Sequence, residues 1–153
     1  MEEDIISDLI MGYHNEKSIY FAGSIRGGRD DHALYFEIVK LLGQYGTVLT
    51  EHVGDETLQS VGESLSDRLI YERDIEWLKS SDCLIAEVTT PSLGVGFEIG
   101  KATEWGKQVL CIFRPGEGRL LSAMIAGSKD VTVKEYESLA DLKDIFVDFF
   151  TSL

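Results

Sequence analysis

Two acidic residues of this chain occupy positions where an acid needs a reason. Asp74 lies between Ile70 and Trp77 on the apolar side of an amphipathic segment that also carries Leu69 and Leu78. Glu98 shares steps of three and four with Val95, Ile99, Ala102 and Trp105, and its spacing predicts a place in the first turn of a helix. A carboxylate on such a face points at the core or at a pocket. Each has a plain alternative: Asp74 as a structurally hydrogen-bonded group, Glu98 as an acid favoured by the helix dipole. Glu72 and Glu76 flank Asp74 and read as solvated face. Two carboxyl groups in one pocket allow a division of labour, one attacking an anomeric carbon and the other protonating the leaving group. That chemistry needs neither a metal nor a cofactor.

A second group of residues suits an anion. Gly23, Ser24, Ile25, Arg26, Gly27, Gly28 and Arg29 precede Asp30 and Asp31 at a helix start. Glycines let backbone N–H groups turn toward a phosphate, Ser24 adds a hydroxyl, and Arg26 or Arg29 can close a bidentate grip. The spacing is neither Walker A nor G-x-G-x-x-G. The alternative is a glycine-rich turn with solvated arginines. Ser92, behind Pro91 and ahead of Gly94, is a further phosphate donor or else a simple helix cap. A phosphate cradle beside paired carboxyl groups makes a nucleotide the simplest substrate.

The elements that must position these groups alternate strand with helix. Strands are predicted over 18–22, 47–49, 83–88, 109–113 and 131–136, and helices over 31–44, 66–79, 95–105 and 139–150, with Gly46 and Gly106 as helix stops. A short helix is expected over 120–125, and one longer loop over 51–65. The order implies an α/β protein: a three-layer, Rossmann-like (flavodoxin-like), five-stranded parallel sheet flanked by helices. Ligands of such sheets gather beyond the carboxyl ends of the strands, where the glycine loop and Ser92 fall. Residues 1–17, with Ile5, Ile6, Leu9, Ile10 and Tyr13 at helical spacing, read as an extension; 18–153 read as one domain.

Composition narrows the function classes. A net charge of −13, from 14 Lys+Arg against 27 Asp+Glu, argues against polymeric nucleic acid as a partner, because polyanions are held by clustered cations. Any phosphate ligand should be small and locally gripped. Apolar runs such as Val109 to Phe113 are too short to span a membrane, and Glu2, Glu3 and Asp4 stand where a secretory signal would place Lys or Arg. A cytoplasmic and also nuclear location is the expectation. Cys83 and Cys111, inside apolar strands, are expected to be buried free thiols, and His14, His32 and His52 show no metal-ligand spacing.

Several segments together resemble a known family: Ile19-Tyr20-Phe21-Ala22-Gly23-Ser24-Ile25-Arg26-Gly27-Gly28-Arg29, then Leu49-Thr50-Glu51-His52-Val53, Pro91-Ser92-Leu93-Gly94-Val95-Gly96-Phe97-Glu98, Phe113-Arg114-Pro115 and Leu121-Ser122-Ala123-Met124-Ile125. They look like the 2′-deoxynucleoside 5′-phosphate N-hydrolases, grouped with the nucleoside 2-deoxyribosyltransferases. The likeness runs in register over residues 18–127. It implies cleavage of the N-glycosidic bond of a deoxynucleoside monophosphate to a free base and 2-deoxyribose 5-phosphate. Glu98 then matches the nucleophile of a covalent intermediate, Asp74 the proton-transfer aspartate, and Tyr20 the tyrosine that lines the sugar site and orients the nucleophile. The run from Gly23 to Arg29 matches the phosphate loop, and Ser92 a phosphate-binding serine. Ser122 matches a serine given to the neighbouring subunit's site, which implies a homodimer. Phe97 stands where the family has tyrosine, and Ala22 where it has cysteine. Rival readings are deoxyribosyl transfer between bases, hydrolysis of a ribonucleotide such as CMP, and a nucleotide-binding module without turnover.

Overall fold

A computed structural model describes residues 17–25, 32–50 and 65–153. The expected helical extension, Arg26, Gly27, Gly28, Arg29 and most of the loop over 51–65 lie outside the described residues.

Among the described residues five short segments form strands: β1 (Ser18–Ala22), β2 (Thr47–Val48), β3 (Cys83–Glu87), β4 (Gln108–Phe113) and β5 (Thr132–Glu135). All pair in parallel in the order β2-β1-β3-β4-β5, the flavodoxin-like arrangement. The near-continuous apolar character of β1, β3 and β4 follows from burial on both faces, whereas the edge strand β5 is largely exposed. On one face Ile19, Phe21, Cys83, Ile85, Leu110 and Ile112 pack under α1 (His32–Leu42) and α5 (Leu139–Thr151). On the other, Tyr20, Ala22, Leu84, Ala86, Val109 and Cys111 pack under α2 (Asp67–Ser80) and α3 (Leu93–Glu104). Both cysteines are free and buried, and burial pushes each thiol up to about 12.

Threonine side chains continue the ladder where the strands stop. Thr50 Oγ1 accepts from Phe21 N at 2.8 Å and donates to Phe21 O at 2.6 Å, so β1 stays satisfied although β2 has only two residues. Thr89 Oγ1 accepts from Arg114 N at 2.9 Å beyond the ends of β3 and β4.

Several boundaries move for identifiable reasons. Ser92 caps α3 by accepting from Val95 N, so this helix starts at Leu93 and Glu98 lies in its second turn, not its first. Ser122 caps α4 (Ala123–Ala126), which therefore begins later than the pattern around 120 suggests. Gly106 does end α3, with φ +70 and its N–H donated to Thr103 O. Gly46 does not end α1, which stops at Leu42; it is glycine because a Cβ would strike the backbone carbonyl of Lys17. On α2, Leu69 is exposed rather than inward, leaving Leu78 as the buried anchor with Ile70 and Trp77 half-buried.

Candidate active site

The carboxyl ends of β1 and β3, with the facing sides of α2 and α3, enclose a cavity of about 650 Å3. Asp74 and Glu98 both line it, together with Gly23, Ile25, Ser92 and Phe97. The pairing of strands far apart in sequence brings these groups together: β1 supplies Tyr20 and Gly23, and the helix after β3 supplies Glu98.

Tyr20 is 2% exposed and donates its hydroxyl proton to Glu98 Oε1 at 2.7 Å. It stands behind the carboxyl group, and the cavity wall belongs to Glu98 rather than to the tyrosine. Burial, reinforced by the Asp74 charge, raises Glu98 to about 7, while the Tyr20 hydrogen bond pulls the other way. Burial is also the main cause holding the Tyr20 phenol far above its ordinary range, with the Glu98 and Asp74 charges adding to it. Tyr20 is thus a proton donor in this pair at every physiological pH.

Asp74 is held differently. Arg73 meets Asp74 Oδ1 through Nε at 3.0 Å and through Nη2 at 2.9 Å, and its guanidinium carbon lies 4.7 Å from the Trp77 ring centroid. Arg73 escaped the sequence reading because neighbours i and i+1 do not share a helix face, and only the bend of a long side chain brings them together. Across the cavity mouth, the exposed Tyr71 and Phe97 rings sit 6.1 Å apart. The signal for them was available: an aromatic on each of two helices that also bear the acids. Glu72 and Glu76 point outward as expected, Glu72 pairing with Arg68 at 2.9 Å.

Of the phosphate candidates, Ser24 is fully buried, and its hydroxyl has no hydrogen-bond partner among the described residues. A buried, unsatisfied hydroxyl costs free energy unless something arrives to use it. Ser92 spends a lone pair on its cap to Val95 N and keeps a proton to donate. Arg26, Gly27, Gly28 and Arg29 lie outside the described residues. Ser122 is not brought to this cavity; it lines an adjoining apolar groove of about 680 Å3, which shares Pro91, Ser92, Leu93 and Val95 with it. Among the described residues no three His, Cys, Asp or Glu side chains group to hold a metal ion, and no helix is long and apolar enough to cross a membrane.

Residues 19–134 match the family model described as nucleoside 2-deoxyribosyltransferase. The chain belongs to this family. Within it, a rat protein named 5-hydroxymethyl-dUMP N-hydrolase is 56% identical over 115 residues, covering 74% of this chain and 71% of its own. A protein of the same name from Tetraodon nigroviridis is 49% identical over 139 residues, covering 88% and 97%. A solved structure of the Clostridium botulinum CMP N-glycosidase shares the fold, with a TM-score of 0.56 at 16% identity over 87% of this chain and 99% of that one.

Proposed function

We propose that this deoxyribosyltransferase-family protein hydrolyses the N-glycosidic bond of 2′-deoxynucleoside 5′-monophosphates. The observation that carries the reading is Glu98: a carboxyl group raised to about 7, hydrogen-bonded by Tyr20 and sharing a cavity with Asp74. Attack by a Glu98 oxygen on C1′ forms a glycosyl ester as the C1′–N bond breaks, and the departing base takes a proton from Asp74. Water then attacks C1′, returning its proton to Asp74, and 2-deoxyribose 5-phosphate leaves with Glu98 free again. The pair needs one proton between them, residing on Asp74 at the moment of attack. Coupled carboxyl groups share protons in this way. Ser24 and Ser92, with Arg26, Gly27, Gly28 and Arg29, receive the 5′-phosphate.

The protein works as a homodimer in which Ser122 reaches the partner's site. Leu93, Leu120 and Met124 are 97%, 90% and 85% exposed around the groove that holds Ser122, an apolar concentration that a lone domain seldom leaves in water.

The deciding experiment is proton NMR of the anomeric signal with a panel of deoxynucleoside 5′-monophosphates that includes 5-hydroxymethyl-dUMP, the matching nucleosides with an acceptor base, and CMP. Release of 2-deoxyribose 5-phosphate from the deoxy monophosphates is the expected result. Transfer between nucleosides, or release from CMP alone, would overturn it.

A further inference from the structure

Glu87, the last residue of β3, is fully buried, yet it lines neither the cavity nor the groove beside it. Alternation along β3 puts it with Cys83 and Ile85 on the α1/α5 face, opposite the layer that carries Glu98. A carboxyl group so deep in the protein is retained only when its oxygens are used. Here Oε1 accepts from Thr89 N at 2.6 Å, and Oε2 accepts from the hydroxyl of the buried Tyr136, just past β5. Thr89 in turn accepts from Arg114 N with its hydroxyl oxygen. The ends of β3, β4 and β5 are thus tied through a single side chain and the turn it grips. That turn runs straight into Pro91 and Ser92, both on the cavity wall, and Ser92 caps the helix bearing Glu98.

We propose that Glu87 is a positioning residue: by clamping the turn at Thr89 against Tyr136 and Arg114, it sets where Ser92 meets the substrate's phosphate. This rests on the phosphate role given to Ser92 in the hydrolase reading. Glu87 is not among the described residues that line the cavity, so the effect proposed for it passes through the turn.

The test uses full-length protein and side chains that report on the clamp without emptying it. Tyr136→Phe and Thr89→Val each remove one hydroxyl and keep the shape, while Thr89→Ser keeps the hydroxyl. With a deoxynucleoside 5′-monophosphate, the first two should raise KM about five-fold with kcat within about two-fold, the factor carried by one hydrogen bond of ordinary net worth. Thr89→Ser should stay near the parent. In a Ser92→Ala background the same two substitutions should add nothing further, because the contact they steer is gone. An unmoved KM in folded Tyr136→Phe and Thr89→Val proteins, or effects that multiply with Ser92→Ala, would overturn the proposal. Parent protein run alongside separates the two ideas: no turnover by the parent sinks the hydrolase reading. The same comparison is then made on the affinity for 2-deoxyribose 5-phosphate by calorimetry, where equal affinities across the set would sink the clamp.

Discussion

At Glu98, function and stability pull in opposite directions. Its carboxyl group titrates near 7 in the folded protein and near the ordinary glutamate value of 4.5 when unfolded. Between those values the folded state holds more protons, so stability falls as pH rises from about 4.5 to 7 and the penalty is complete above that window. Glu98→Gln keeps an acceptor for Tyr20 and loses the charge. Calorimetry should show this variant gaining melting temperature over the parent at pH 8 and much less at pH 5. Its turnover should drop by about a thousand-fold or more, on the scale of losing a nucleophile. In the parent, attack requires ionised Glu98 beside protonated Asp74, so kcat/KM should climb as pH rises toward about 7 and fall again at higher pH, where the pair's shared proton is lost. Tyr20→Phe removes the hydrogen bond that favours the ionised form, and the rising limb of its pH profile should move to higher pH. A limb that stays put would detach Tyr20 from the nucleophile. Both acids were legible in the sequence because each interrupts an apolar stripe, whereas the Arg73 grip on Asp74 was not, since it depends on side-chain bending rather than on spacing.

Among the elements, strands were easier to read than helix ends. Parallel strands buried on both faces advertise themselves as apolar runs, and β1 and β3 came within one residue of their expected limits. Helix starts turned on caps: Ser92 and Ser122 decide where α3 and α4 begin, and a serine in a loop gives no warning of which turn its oxygen will cap. The two glycines separate cleanly. Gly106→Ala forces a left-handed residue on α3's end and should cost about 1 kcal/mol in denaturant melts with kcat unchanged. Gly46→Ala must displace the Lys17 carbonyl where β1 begins, and should cost more than Gly106→Ala in the same melts. Equal costs would mean that the chain can shift around Gly46.

For the whole molecule, the separation of Ser122 from Glu98 within one chain has a testable arithmetic. If Ser122 completes the partner's site, Glu98→Gln and Ser122→Ala proteins, each impaired alone, form mixed dimers with one site holding both native groups. Mixing the two after subunit exchange should restore activity to a fraction of the parent's, and Met124→Lys in both should abolish that recovery by opposing association. Additive, unrestored activity would place Ser122 outside any shared site. The domain's layers could be foreseen from periodicity alone, whereas the proposed dimer rests on the exposure of Leu93, Leu120 and Met124, which periodicity did not signal.

The chain has two tryptophans, and both belong to the layer that walls the cavity. Trp77 lies beneath the guanidinium that grips Asp74, and Trp105 sits at the end of the helix bearing Glu98, within 5.4 Å of the Lys79 amine. No other indole dilutes their emission. The protein therefore contains its own optical gauge: ligand arrival, a proton moving between the two acids, or release of product should each alter a fluorescence signal that needs no label and can be followed on the time scale of a single turnover.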